Sequence, residues 1–210
     1  MCCRYYMEMC PELRPIIEAA NRSALKDRMV SKLGKPLVTE GEVFPTNMVP
    51  VIASSSQKKK SVFPMVWGYT LPGLDRPVVN TRSESAAGKD VWKEGWSSHR
   101  CIIPASWYFE WSHYLTPSGQ KKTGTKYAIQ PRGDSITYLA GIYRIEEYRD
   151  LKYPVFSVLT REPSGDLRKI HDRMPVIMPG DMIDSWINPD NKAEDLITQA
   201  LTDMIFEEAG

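Results

Sequence analysis

The chain has 210 residues and a formal net charge of +1, from 27 Lys and Arg residues against 26 Asp and Glu residues. This length can bury a hydrophobic core without staples, and four cysteines are too few for a disulfide-built secreted scaffold. No segment approaches the roughly 18 to 20 apolar residues of a membrane span. The composition predicts a globular cytoplasmic protein, and the balanced charge argues against a general coat of phosphate contacts while allowing a local basic groove.

The first half of the chain changes from a helical to a strand-like pattern. Residues 12–33 have apolar side chains at helical spacing before Gly34, which predicts one amphipathic helix. Residues 35 to about 103 contain short apolar runs separated by Gly, Pro, Ser and Asn, which indicates strands and loops. The polar segment 54–60 predicts a turn between two strands. Its three lysines suit a solvated loop, and contact with nucleic acid is the alternative.

The second half predicts a hairpin followed by buried strands. Segments 107–114 and 125–130 flank a tip rich in Gly, Ser, Thr and Lys, which is typical of two paired strands. Apolar segments 138–143 and 155–160 predict buried strands. Spacing in residues 182–206 predicts two helical pieces.

The second of these helical pieces begins after a break near Pro189. There is no internal repeat and no alternation of strands and helices that would indicate a parallel sheet. The sequence therefore predicts a single α+β domain over residues 1–210, with a largely antiparallel sheet, an open barrel-like core and flanking helices.

Cys2 is the most suggestive candidate for chemistry. Because a small residue after Met1 permits removal of the initiator, Cys2 can become an N-terminal residue with both an amine and a thiol. The ordinary pKa values of these groups, about 7.7 to 8 and about 8.5, leave a fraction of each nucleophilic near neutral pH. Such a residue can convert an aldehyde to an imine and then a thiazolidine. The alternatives are a thiolate nucleophile of a peptidase or amidohydrolase, and an ordinary cysteine.

Two other residues are candidates for proton transfer. Glu110 lies within the aromatic segment 107–111, where partial desolvation would raise the pKa of its carboxyl group. A solvent-facing Glu110 on an alternating strand is the alternative. His171 lies in a polar cluster before an apolar strand and is a candidate acid or base. We place His99 and His113 in loops without a role.

The cysteines do not predict a zinc site. Cys2, Cys3, Cys10 and Cys101 form no Cys-x-x-Cys pair, and adjacent cysteines rarely direct both sulfurs to one tetrahedral centre. Phosphate-loop and dinucleotide glycine motifs are also absent from the sequence. We therefore expect neither a metal nor a cofactor.

Six short motifs occur along the chain in a recognisable order. They are Met1-Cys2-x-Arg4-Tyr5, Phe44-Pro45-Thr46-Asn47 with Val49-Pro50-Val51, Met65-Val66-Trp67-Gly68, Asn80-Thr81-Arg82-Ser83-Glu84, Pro104-Ala105 with Glu110-Trp111, and His171-Asp172-Arg173-Met174-Pro175. With these motifs the sequence resembles the SRAP family, the SOS response-associated peptidase domain of abasic-site crosslinking proteins. The resemblance covers almost the whole chain.

The resemblance implies a covalent reaction with damaged DNA. In this family the mature N-terminal cysteine, here Cys2, reacts with the ring-opened aldehyde of an abasic site in single-stranded DNA and forms a thiazolidine crosslink. By the matching motifs, Glu110 is a proton shuttle beside the α-amine and His171 assists ring opening and crosslink reversal. Asn80 positions the terminus. The implied partner is single-stranded DNA containing abasic sites, bound by a monomer.

The resemblance also implies residues that hold the DNA. Arg4, Arg82 and Arg173 are expected to bind phosphates, because the guanidinium group suits bidentate contacts. Trp67 and Trp111 are expected to pack on bases or to form a wall of the site.

Two departures from the family pattern and two alternative functions stay open at this stage. Cys3 stands where the family usually has Gly, and the segment beyond Trp186 is expected to end without the family's frequent final strand. A thiol peptidase or amidohydrolase would use Cys2 with His171, and self-removal of Met1 would be a limited form of that activity. A non-covalent module that binds single-stranded DNA is the other alternative.

Overall fold

Strands form the framework of the molecule and short helices cover them. The computed structural model describes residues 3–210. The strands are β1 (Tyr5–Met7), β2 (Gly41–Val43), β3 (Met48–Ser54), β4 (Lys60–Trp67), β5 (Asn80–Arg82), β6 (Arg100–Ala105), β7 (Trp107–Leu115), β8 (Lys121–Pro131), β9 (Thr137–Tyr148), β10 (Leu151–Arg161), β11 (Met174–Pro175), β12 (Ile177–Met178) and β13 (Met204–Glu208). The α-helices are α1 (Arg14–Asn21), α2 (Ala24–Leu33), α3 (Ser83–Ala86), α4 (Asp90–Ser98), α5 (Ile183–Ile187) and α6 (Ala193–Leu196).

Five of the strands close into a barrel. The antiparallel neighbours run β4, β3, β6, β9 and β10, and β10 returns to β4 as a parallel neighbour. Strands β5 and β11 pair with β10, and β12 pairs with β9. Closing a sheet into a ring leaves its central strands without free edges. The predicted α+β fold with a largely antiparallel sheet is therefore confirmed, and the ring of strands is closed where an open barrel was expected.

A second sheet carries the N-terminal strand. Its strands lie in the order β13, β8, β7, β1, β2, and all neighbours are antiparallel. The chain passes from the barrel into this sheet at Ser106, between β6 and β7. There the Ser106 amide donates a hydrogen bond to the Tyr6 carbonyl (2.8 Å), and the Ser106 hydroxyl accepts one from the Glu8 amide (2.8 Å). These contacts tie β1 to the barrel.

Hydrophobic residues fill both sides of the barrel wall. In β3, Val49, Val51 and Ala53 join a cluster shared with β1, β7 and α1, whereas Met48 and Ile52 join a cluster shared with α2, α4 and α5. Because both faces of the strand are buried, its apolar residues form a continuous run instead of an alternating pattern. The strands predicted from such runs at 138–143 and 155–160 are confirmed within β9 and β10.

Two expectations about helices are wrong. The single helix predicted over residues 12–33 is two helices, because Ser23 is extended (ψ 123°) at the N-cap of α2, a position that serine favours. Helix α4 lies within a region predicted to hold only strands and loops. Trp92 and Trp96, one helical turn apart, bury its inner face.

The C-terminal segment corrects a third expectation. Residues 182–206 were expected to be helical, without a final strand. The structure has the short helices α5 and α6, and then β13, which pairs with β8 from Met204↔Pro131 to Glu208↔Tyr127. Residues 204–208 form a strand because pairing with β8 satisfies their backbone hydrogen bonds and buries Met204, whereas the helical spacing of their apolar residues is weak.

Within residues 3–210, no helix is both long enough and apolar enough to cross a membrane.

A buried arginine joins the C-terminal helices to the barrel. Arg100, at the start of β6, is 1% exposed, and all five N–H bonds of its guanidinium group donate to backbone carbonyls. The acceptors are the carbonyl oxygens of Trp96, Ser97, Trp186, Asn188 and Asn191. Desolvation by burial lowers the pKa of Arg100. The side chain thus satisfies carbonyls at the ends of α4 and α5 that have no other partner in the helix.

We expect Arg100→Lys to destabilise the fold by about 3 kcal/mol, because an ammonium group has three donors and leaves buried carbonyls unsatisfied. The measurement is urea-induced unfolding followed by circular dichroism. Arg132→Lys is the matched control, since Arg132 forms an exposed pair with Asp203 and its replacement should cost less than about 0.5 kcal/mol. An equal decrease in the free energy of unfolding in the two variants would show that the buried hydrogen bonds of Arg100 stabilise the fold no more than an exposed ion pair does.

Candidate active site

Strand pairing brings the start of the chain to a buried carboxyl group. Tyr5 of β1 pairs with Tyr108 of β7, and the same antiparallel register continued toward the N-terminus sets Cys3 opposite Glu110. Glu110 is 4% exposed, and one of its carboxylate oxygens accepts a hydrogen bond from the Trp111 amide (3.3 Å). Burial raises the pKa of the Glu110 carboxyl. The prediction that Glu110 is desolvated is confirmed, and the solvent-facing alternative is wrong.

His171 faces this carboxyl group. Its Nε2 atom lies 3.9 Å from Glu110 Oε1, and its backbone amide donates to the Leu167 carbonyl. Its Nδ1 atom lies 3.0 Å from the Arg173 amide nitrogen and 2.7 Å from Asp172 Oδ1. A neutral imidazole can accept from the amide or donate to the carboxylate through Nδ1, but each needs a different tautomer. The tautomer at Nδ1 in turn decides whether Nε2 presents a proton to Glu110.

The environment keeps the imidazole neutral. Burial is the largest of the effects that lower the pKa of His171 to about 4; surrounding positive charges, those of His113 and Lys121 among them, act in the same direction, and Asp172 acts in the opposite direction. The raised pKa of Glu110 and the pKa of about 4 for His171 reverse the ordinary order of the two groups, so the carboxyl group binds a proton more readily than the imidazole. Environments that shift two neighbouring groups in opposite directions are typical of sites where one group donates a proton and the other accepts one.

Cys3 adds a second thiol beside the site. It is exposed at the surface, and partial burial followed by the Glu110 carboxylate raises the pKa of its thiol. A raised pKa keeps sulfur protonated and weakly nucleophilic near neutral pH. The predicted covalent residue Cys2 lies outside the described residues.

Arg173 holds the His171 loop in place. Its side chain is 8% exposed, and its two terminal nitrogens donate to the two carboxylate oxygens of Glu84 at 2.9 and 2.8 Å. A third hydrogen bond reaches the Thr160 carbonyl (2.7 Å). This pairing corrects the expectation that Arg173 presents its guanidinium group to a phosphate, because the planar fork is already engaged by Glu84.

Asn80 and Arg82 lie on the neighbouring strand. β5 runs parallel to β10, with Asn80 at Val158 and Arg82 at Thr160, and β11 pairs with the other side of β10 at the same end. Asn80 is partly buried and Arg82 is exposed. The Arg173–Glu84 pair therefore connects the helix that follows Arg82 with the loop that carries His171.

Trp67 lies in the core and packs against the strand β1 beside the site. It is fully buried, its indole N–H donates to the Val79 carbonyl (3.0 Å), and its ring centroid is 5.3 Å from that of Tyr5. It thus touches both β1 and the residue before Asn80. Burial corrects the expectation that Trp67 packs on a base, since its ring is not accessible to solvent.

Arg4 and two aromatic rings form a surface beside the site. The Arg4 guanidinium carbon lies 4.6 Å from the Phe44 ring centroid and 5.1 Å from the Trp111 centroid. One Arg4 nitrogen is 3.4 Å from the Glu42 carboxylate. Phe44 is 41% exposed, and Arg4 and Trp111 are partly exposed. This cationic and aromatic surface suits a nucleic-acid strand, and sequence reasoning missed Phe44 as a member of it.

A strained turn places Phe44. The Phe44 amide donates to the Asn47 side-chain oxygen (2.8 Å), and the Asn47 amide donates back to the Phe44 carbonyl (3.1 Å). Between them Thr46 has a left-handed backbone (φ 70°), which a β-branched residue rarely adopts. The Thr46 amide donates to the Trp67 carbonyl (2.8 Å), so the turn is fixed to the barrel. The Phe-Pro-Thr-Asn motif therefore encodes a specific turn that exposes one aromatic ring.

His113 is a second residue that the sequence interpretation missed. It lies on β7, not in a loop, and its ring centroid is 5.4 Å from that of His171. Regular alternation would direct His113 away from the Glu110 side, but the register shifts between Trp111 and His113. Such a β-bulge re-aims the side chains that follow it.

The signal for the bulge lies in a pair of small residues. A Cβ on Gly124 would lie 2.6 Å from the Ser112 hydroxyl, which accepts a hydrogen bond from the Thr125 amide (2.9 Å). A side chain at position 124 would therefore displace the Ser112 hydroxyl from this hydrogen bond.

Among residues 3–210, no group of three or more His, Cys, Asp or Glu side chains could hold a metal ion.

Comparisons with known proteins agree on one family. The abasic site processing protein YoaM of Bacillus subtilis (strain 168) is 32% identical over 143 residues, covering 64% of this chain and 60% of that protein. The abasic site processing protein YobE of the same organism is 29% identical over 177 residues and covers 77% of each chain.

The fold has a counterpart among solved structures. A crystal structure of a protein from Bacteroides thetaiotaomicron superposes with a TM-score of 0.75 at 20% identity, over 100% of this chain and 92% of that one. The family model described as SOS response associated peptidase (SRAP) matches residues 1–208. The chain therefore belongs to the SRAP family.

Proposed function

We propose that this SRAP protein processes abasic sites by capturing them covalently in single-stranded DNA, through Cys2 after removal of Met1. The observation that carries the proposal is the buried pair of Glu110 and His171 opposite the N-terminal strand. Two relatives named abasic site processing proteins support the substrate class. Since the aligned segment spans 60% of YoaM, the activity of that whole protein is likewise only proposed for this chain.

The proposed reaction joins an aldehyde to the N-terminal residue. The Cys2 amine adds to the C1′ aldehyde of the ring-opened abasic site, and loss of water gives an imine. The Cys2 thiol then adds to the imine carbon while its proton passes to the imine nitrogen, which closes the thiazolidine. The overall change releases one water molecule and needs no oxidant or metal. Cys3, the residue that follows Cys2 in the sequence, lies opposite Glu110 when the β1–β7 register is continued.

Glu110 and His171 divide the proton transfers in this proposal. Because its pKa is raised, Glu110 can hold a proton for the departing hydroxyl group and then accept one from the amine. Neutral His171 can accept the proton of the sugar hydroxyl during ring opening, and its 3.9 Å distance from Glu110 can shorten when substrate binds. Asn80, at the start of β5, is proposed to orient the terminus.

The DNA contacts of the proposal fall on the exposed residues. Arg82, which is exposed, and Arg4, which is partly exposed, are proposed to contact phosphates, and Trp111 with Phe44 is proposed to contact bases. Trp67 and Arg173 do not contact DNA in this proposal. Trp67 packs against β1, and Arg173 fixes the loop that carries His171.

We expect Cys2→Ala to abolish the adduct with an oligonucleotide containing one abasic site, because both ring-forming atoms are needed for a stable thiazolidine. Intact-protein mass spectrometry of the processed chain measures it, and Cys3→Ala is the matched control that should retain the adduct. Adduct formation by Cys2→Ala equal to that of the parent would refute covalent capture through Cys2. Peptide turnover that needs Cys2 but no DNA would instead support a thiol peptidase.

We expect Glu110→Gln to slow crosslinking about 100-fold while changing DNA affinity less than threefold, because an amide cannot transfer the proton. Single-turnover crosslinking and fluorescence anisotropy separate the two effects. Equal losses in rate and affinity would mean that Glu110 supports binding and not proton transfer.

We expect His171 to titrate near pH 4, since burial and its neighbours disfavour the imidazolium form. The groups that face it are Glu110, His113, Lys121 and Asp172. NMR titration of the imidazole C–H resonance, assigned with His171→Gln, measures the midpoint. Removing a neighbour that lowers the pKa, in His113→Gln, should raise the midpoint. A wild-type midpoint near 6.5 would contradict the conclusion that burial and neighbouring charges disfavour the imidazolium form.

A further inference from the structure

The hairpin formed by β7 and β8 carries a concentration of positive charge. The chain as a whole is balanced, yet no acidic residue occurs between Trp111 and Gly133. The same segment contains three lysines, Lys121, Lys122 and Lys126. Clustered charge of one sign marks a surface that attracts an oppositely charged partner.

Two of the three lysines are available for a partner. Lys126 is 17% exposed, pairs with Glu42 at 2.8 Å and lies 4.0 Å from the Phe109 ring centroid. Lys121 and Lys122 are exposed, and within the described chain neither has an ion pair. The free charge of the hairpin is therefore at its tip.

The tip has one side that faces the candidate active site. Leu115 pairs with Lys121, and Tyr114 pairs with Lys122, so the two pairs project from opposite sides of the hairpin. After the bulge, His113 lies on the side of Leu115, and its ring contacts His171. The charge of Lys121 also acts on His171. Leu115 and Lys121 thus extend the surface of the active site along the hairpin.

This surface pairs an apolar group with a cation. Leu115 is 70% exposed, and Lys121 stands directly across from it. An ammonium group suits a phosphate, and an exposed aliphatic side chain can pack on a sugar or on the face of a base. Leu115 lies four residues beyond Trp111 on β7, which corresponds to about 13 Å along a strand. A single-stranded DNA that reaches both Trp111 and Leu115 would contact them with different nucleotides.

We infer that the site-facing side of this hairpin, Leu115 with Lys121, is a second contact surface that grips nucleotides flanking the captured site in single-stranded DNA. The inference rests on the proposed function. In it Lys121 binds a backbone phosphate and Leu115 packs against the adjoining sugar or base. Arg4, Phe44 and Trp111 hold the strand at the base of the hairpin, and the tip holds it further along.

The first test compares two lysines on opposite sides of the same tip. Lys121→Gln should lower the magnitude of the slope of log affinity against log salt by about 0.7 for an intact 20-nucleotide strand, the value for one lost phosphate contact. A slope change of about 0.7 corresponds to about fivefold weaker binding at 0.1 M salt, relative to 1 M salt. Lys122→Gln, which removes the same charge from the other side, should leave the slope unchanged. Equal effects of both variants, or no effect of either, would overturn the inference.

A second test measures contact directly. A benzophenone amino acid placed at position 115 should photocrosslink to the intact strand, whereas the same group at position 114 should crosslink at least fivefold less. Equal yields at the two positions would also overturn the inference. Because both tests use intact DNA and reversible binding, they remain informative if no covalent adduct forms with abasic DNA. Loss of the adduct alone would count against the proposed function and not against the hairpin.

Discussion

The pairing of β1 with β7 is the constraint on which the site depends. β1 is only three residues long, but β7 and β2 bond it on both sides, and Ser106 fixes it to the barrel. Since side chains alternate along a strand, a slip of one residue would turn Tyr5 out of the core and move Cys3 away from Glu110. The buried Tyr5 ring against Trp67 makes such a slip costly. Strand β1 is thus held in one register.

Burial then decides the electrostatics of the site. Two charges in the interior would require desolvation that their attraction repays poorly, so Glu110 and His171 are each shifted toward the neutral form. The ion pair that fixes the loop, Arg173 with Glu84, lies where Glu84 is half exposed and retains hydration. The structure therefore places an ion pair in the supporting contacts, whereas the two groups of the candidate site are shifted toward their neutral forms.

The sequence predicted those features that depend on local pattern. Buried strands and the β7–β8 hairpin follow from apolar runs and turn residues that are adjacent in the chain. Glu110 is desolvated as expected, but its chain neighbours Phe109 and Trp111 alternate to the other face of β7. The roles of His113 and Trp67 depend on a bulge and on the depth of burial, which local pattern does not encode. β13 was missed for the same reason, since a short strand is defined by its partner β8.

Net charge near zero is consistent with a protein that grips DNA locally. Charge is distributed unevenly, because Arg4 and Lys126 both pair with Glu42, whereas the segment from Trp111 to Gly133 that carries Lys121 contains no acidic residue. In the proposed function, a few phosphate contacts would give weak, salt-sensitive binding that lets the protein leave intact DNA rapidly. In the proposed reaction the covalent bond supplies the residence time. Affinity for intact strands can therefore stay low without loss of capture, which explains why a broad basic surface is unnecessary.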